Sequence, residues 1–141
     1  MIINVVFGLA TTGIFEWTQG GQIGLLYLVD LPIWLELLIA VMALDLIAQY
    51  FAHFLLHKVS FMWRFHMVHH SDTAVDVTTG TRHHPGDFII RELFSLLAIL
   101  IMGMPVAYYL IYRISTVFFT YLTHANLNIP ASVDKLISYV F

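Results

Sequence analysis

Polar positions are sparse along this chain, and their placement divides it into helical runs. From Pro32 the stretch PIWLELLIAVMALDLIAQYFAHFLLH continues for 26 residues without glycine or internal proline, and Pro32 suits a first helical turn. At 1.5 Å per residue this helix is about 39 Å long, against a hydrocarbon core of about 30 Å, so it can cross a bilayer and protrude by a turn or two. Residues 1–31 are apolar but broken by TQGGQ and Asp30, which predicts a partial or tilted membrane segment. The stretch SDTAVDVTTGTR, residues 71–82, is small and polar and reads as an irregular connector. Next, HPGDFIIRELFSLLAILIM reads as a helix entered through Pro85, with Asp87 in the first turn where the helix dipole favours an acid. GMP at 103–105 breaks it, and VAYYLIYRISTVFFTYLTH returns to His124, so residues 88–124 are expected to form a hairpin that dips into the membrane and brings its ends together. The tail breaks at Pro130 and begins a short amphipathic helix.

Composition agrees with a membrane setting. Of the residues, 60% are hydrophobic and 11% charged, with a mean hydropathy of +0.83, well away from an ordinary soluble domain. Six Lys and Arg against nine Asp and Glu give a formal charge of -3 with no basic tract, which argues against nucleic acid as a partner. Cysteine is absent, so disulfides, thiolate metal sites, iron–sulfur clusters and cysteine nucleophiles are excluded. Any metal must be held by nitrogen or oxygen. The amino terminus lacks the basic segment and cleavage site of a secretory signal, and no repeat of 20 to 50 residues is visible. A single domain is expected. No Lys or Arg precedes Lys58, whereas Arg64, Arg82 and Arg91 follow it, and this asymmetry places the segment after the long helix on the cytosolic side.

That segment holds the candidate chemistry. HFLLHKVSFMWRFHMVHH, residues 53–70, contains five of the eight histidines. His53 and His57 are spaced i, i+4 and share one helix face, close enough to bind one metal. Gln49 and Asp45 continue that face at four-residue steps, a polar stripe inside an apolar helix, and such stripes mark function. Asp45 lies about 12 Å from His53 along the axis, too far to bind the same ion, so it is expected to hold a ligand of another helix in place. His66, His69 and His70 are spaced i, i+3, i+4, again one face of a helix. A single interfacial histidine is most simply a snorkelling residue; five in two sets that each face one way point to a metal. His83 and His84 are adjacent and point apart, so at most one reaches the site; His84, extended before Pro85, could be a ligand or an outer partner. His124 is returned to the cluster by the hairpin and reads as a ligand.

Neutral imidazole suits zinc, iron, copper or nickel. A zinc protease of the HExxH type is excluded because Phe54 follows His53, and a haem needs fewer histidines than this cluster holds. Seven or eight imidazoles suffice for most positions around two ions. Two redox metals beside a membrane suggest O2 activation on a lipid, with Asp45, Gln49 and their neighbours fixing imidazole tautomers and apolar walls limiting water. The rival reading is a metal-binding or metal-transporting membrane protein without redox chemistry; a transporter should carry ligands near mid-membrane, whereas these gather at helix ends. A third possibility is a non-catalytic protein with structural zinc.

The segments HFLLH, WRFHMVHHSD, DVTTGTRHHPGD and THANLNIP resemble the fatty acid hydroxylase superfamily, also called the sterol desaturase family, over roughly residues 45–135. The resemblance implies an all-α integral membrane protein with a long transmembrane helix, a membrane-dipping hairpin and a cytosolic histidine-rich helical cap. It implies two irons, with zinc as a substitute in purified protein, and O2 as co-substrate for hydroxylation or desaturation of a lipid. His53, His57, His66, His69, His70, His84 and His124 match the family's iron ligands, while His83 stands where an aromatic residue is common and joins Asp45 and Gln49 as an outer partner. Electrons must come from a separate protein, cytochrome b5-like or a ferredoxin with its reductase, because no GxGxxG nucleotide fingerprint is present. The location implied is a bacterial inner membrane or the endoplasmic reticulum. The family's last HxxHH box does not appear before Phe141, so residues 1–141 are expected to be a carboxy-terminally truncated version of one such domain.

Overall fold

A computed structural model describes residues 2–125 and 129–137, and these form helices, turns and connecting loops with no strand among them. In chain order the helices are α1 (Ile2–Gly21), α2 (Ile33–Leu44), a π-helical segment (Asp45–Phe51), α3 (Ala52–Lys58), α4 (Ser60–His66), α5 (Pro85–Met102), α6 (Val106–His124) and α7 (Ala131–Ile137). Single 3-10 turns occupy Leu25–Leu28, His69–Ser71 and Thr79–Thr81. Residues 1–31 hold one 20-residue helix, Ile2–Gly21, followed by a 3-10 turn. Residues 126–128, within the THANLNIP motif, and residues 138–141 lie outside the described residues.

The long run from Ile33 to Lys58 is one continuous helix, and among the described residues it is the one long and apolar enough to cross a membrane. Ala40, Leu44, Ala48, Ala52 and Leu56 form its buried edge at four-residue steps. The alanines at 48 and 52 are small enough to let α5 approach closely, and α5 packs against the π segment and α3. Within the π segment the backbone widens; the Ala52 N–H reaches back to the carbonyl of Ile47, five residues earlier. Such segments occur often at functional sites. Here the polar stripe expected at four-residue steps is divided: Asp45 is exposed, while Gln49 is half-buried and turns toward α5.

Four helical runs alternate in direction. Phe7 meets Phe88 at the start of α5, and Phe15 meets Tyr109 at the start of α6, so α1 and α5 run one way while α2–α3 and α6 run back. The two turns at the far end touch at Gly24 and Gly103, whose φ angles are 132° and 67°. A Cβ on either would strike backbone of the other turn, so both the positive φ and the close approach require glycine. The hairpin of α5 and α6 is present, with both helices resting on α2 and an ion pair between Arg113 and Glu92 at 2.7 Å.

Candidate metal centre

The end of the bundle where α3, α5 and α6 meet is filled with imidazoles. From α3, His53 and His57 present their Nε2 atoms 2.9 Å apart; from α4 and the turn after it, His66 and His70 present theirs 3.1 Å apart. One donor nitrogen from each of the four lies within 4.8 Å of all the others. Two nitrogens bound at about 2.1 Å to one ion at right angles stand about 3.0 Å apart, so both pairs have the spacing of chelating ligands. His66 is fully buried, His57 and His70 are at the surface, and the indole of Trp63 lies across both at 5.3 and 5.6 Å between ring centroids.

His66, His69 and His70 do not continue one helix face. α4 ends at His66, and the chain tightens into the 3-10 turn His69–Ser71. This sends His69 to the other side of His66, where it stacks on His83 at 4.6 Å and meets His124 edge-on at 5.4 Å. His124 Nδ1 donates to the Thr120 carbonyl at 2.8 Å, which leaves its Nε2 lone pair open. His83 Nε2 donates to the Gly80 carbonyl at 3.1 Å. Gly80 packs so tightly on α6 that a Cβ there would press on Thr120 and on the His124 ring. Among the described residues two buried side-chain atoms lack a hydrogen-bond partner, Nδ1 of His69 and Nδ1 of His83. Buried orphan nitrogens are costly unless a cation or proton occupies them.

Asp87, fully buried, ties the cluster to α5. His66 Nδ1 donates to its Oδ2 at 2.6 Å, and Arg91 Nε donates to its Oδ1 at 2.7 Å. Arg91 also reaches Gln49 Oε1 at 3.0 Å and His53 Nδ1 at 3.1 Å. A guanidinium only donates, so this last contact leaves the proton of neutral His53 on Nε2, and a cation can bind there only as that proton leaves or Arg91 turns away. Burial alone would raise the Asp87 carboxyl pKa, but His83, Arg91 and His66 around it outweigh burial and hold it well below the usual carboxylate range. Burial lowers His66, His69 and His70, with neighbouring rings adding to it, and His69 falls to about 4. These rings are therefore neutral at pH 7, the form that binds metal.

The remaining sequence candidates sit elsewhere. His84 caps α5, accepting from the Gly86 N–H on Nδ1 at 3.0 Å, and its ring stacks on Phe65 at 4.9 Å; of the adjacent pair, the ring in the cluster is His83. The extended conformation that Pro85 imposes on His84 is also a helix-capping conformation. Asp45 makes no hydrogen bond with any histidine among the described residues, and Gln49 approaches the site through Arg91. Sequence reasoning missed Asp87 and Arg91 as site residues; their i, i+4 spacing one turn after HP was the available signal. Between α1, α5 and α6 lies an open groove of roughly 640 Å³, with Phe7, Phe15, Phe88 and Tyr109 on its walls and the Glu92–Arg113 pair inside it.

A family model described as fatty acid hydroxylase matches residues 37–140. The chain is 32% identical over 88 residues to an ornithine lipid hydroxylase of Rhizobium tropici, an alignment covering 62% of this chain and 27% of that protein. The chain thus spans about a quarter of the length of the curated relative it matches. No solved structure matches it significantly.

Proposed function

The chain belongs to the fatty acid hydroxylase family, and on that premise we propose that it holds the di-iron centre of a membrane-bound lipid hydroxylase. The observation that carries this reading is the convergence of one donor nitrogen each from His53, His57, His66 and His70, with His69, His83 and His124 beside them. An all-nitrogen donor set of neutral imidazoles fits iron as well as zinc. When bound, iron would supply the redox chemistry that activates O2: one oxygen atom enters a substrate C–H bond and the other leaves as water, with two electrons from a separate redox protein and two protons from the solvent.

The chain's own residues orient and shield that centre. Asp87 accepts the His66 Nδ1 proton, so the opposite nitrogen faces the cluster, and its charge is balanced by Arg91. The Thr120 carbonyl fixes His124 in the same way. Trp63 covers the two surface rings, and the apolar bundle behind His66 keeps water out. Lys58, Arg64 and Arg82 lie at this end of the bundle, and no Lys or Arg precedes Lys58; this supports a cytosolic position for the histidines. A lipid is the substrate class, since the bundle presents apolar surface and an amphiphile-sized groove. The relative's name suggests an ornithine lipid as the first substrate to try.

The test is an assay of the purified, iron-loaded chain with ornithine lipid or simple acyl lipids, a reductase system and 18O2. A lipid product 16 mass units heavier, or 18 with labelled oxygen, supports the reading. Stoichiometric zinc with no oxygen consumption by freshly purified protein would instead favour a non-redox metal protein.

A further inference from the structure

His83 stands in a position for which a bulky ring would suffice, yet its nitrogens are placed as a ligand's would be. Nε2 donates to the Gly80 carbonyl, so in the neutral ring the lone pair is on Nδ1. That lone pair faces Asp87 Oδ2 at 3.5 Å, long for a hydrogen bond, and Nδ1 is one of the two buried unpartnered atoms. The other, His69 Nδ1, belongs to the ring stacked on it at 4.6 Å with an interplanar angle of 14°. A lone pair turned toward a carboxylate is repulsive unless a proton or a metal ion lies between them. Two donors each about 2.1 Å from one ion at a tetrahedral angle are about 3.4 Å apart, close to the spacing observed. His66, His83 and Asp87 in fact form a second group of donor atoms mutually within 4.8 Å.

We propose that His83 binds a divalent transition-metal ion directly through Nδ1, together with the Asp87 carboxylate, at a position separate from the ion held by His53, His57 and His70. This rests on the reading of the cluster as a metal centre. It gives the chain a nitrogen ligand outside the HxxxH and HxxHH pattern, and it makes Asp87 both a hydrogen-bond acceptor for His66 and a partner of the ion.

The experiment is a Co2+ titration of the full chain in detergent after chelator treatment, followed by d–d absorption and by the number of ions retained after desalting. His83→Phe keeps the ring stacked on His69 without a nitrogen, and His83→Gln keeps a donor for Gly80 while lacking Nδ1. His57→Ala reports the other position. The expected result is that both His83 variants melt like wild type yet bind one Co2+ at least tenfold more weakly, with a changed absorption spectrum, whereas His57→Ala weakens the other ion. Unchanged stoichiometry, affinity and spectrum in both His83 variants overturns the proposal and leaves the metal centre intact. If wild type itself retains no Co2+, the metal-centre reading fails, and this inference with it.

Discussion

His66 Nδ1 and Asp87 Oδ2 lie 2.6 Å apart, both side chains sealed from solvent, and this bond joins the histidine-rich segment to the first turn of α5. It spans 21 residues of chain, including the whole loop of 71–82. A carboxylate that accepts one ring proton of a metal-binding histidine fixes which nitrogen remains for the ion. Because Arg91 holds the other carboxylate oxygen, the position of His66 depends on α5 rather than on its own short helix.

Asp87→Asn should therefore disturb the site more than a conservative change suggests. Losing the charge leaves Arg91 without its counterion and the His66 tautomer free. Metal affinity, measured by competition with a chromophoric chelator, should fall by roughly 10–100-fold, and the melting temperature should drop. Equal affinity in the variant would show that Asp87 is only a helix-end acid.

The metal-free protein should lose stability on mild acidification. His69 is held down to about 4 against 6.5 in the unfolded chain, and His66 and His70 are lowered as well. Between those values the unfolded chain binds more protons than the folded one, so folding stability is full above pH 6.5 and declines as pH falls toward 4. Thermal unfolding at pH 7.5, 6.0 and 5.0 reads this directly. A flat profile over that interval contradicts neutral buried rings.

Trp63 should report the metal. Its indole lies 5.3 Å from His57 and 5.6 Å from His70, whereas Trp17 and Trp34 belong to α1 and α2. In a variant with both of these changed to Phe, Co2+ should quench most of the remaining fluorescence, and His57→Ala with His70→Ala should weaken the quenching and leave only that of the ion at His83.

Gly24→Ala should destabilise the far end without touching the site. The φ of 132° is unfavourable for alanine, and its Cβ would strike the backbone at Gly103. The cost should be at least about 2 kcal/mol, seen as a lower midpoint of thermal unfolding. Metal affinity of the fraction that folds should stay at the wild-type value.

The sequence alone determined the helical runs, because their cause is local. An apolar stretch without glycine or internal proline from Ile33 to His57 has few alternatives to a helix, and GMP at 103–105 has few alternatives to a break. It also determined that His53 and His57 share a face, since i, i+4 spacing is a property of the helix itself. Which face the rest of the cluster would turn was decided by tertiary structure. His69 left the surface shared by His66 and His70 because α4 stops one turn early; His83 rather than His84 entered the cluster because His84 was needed to cap α5; and Asp87 became the anchor through a contact 21 residues distant. Pattern and spacing fix geometry within about one helical turn. Contacts between helices depend on where loops end and on which small residues let the backbones approach, and those are settled only when the whole bundle packs.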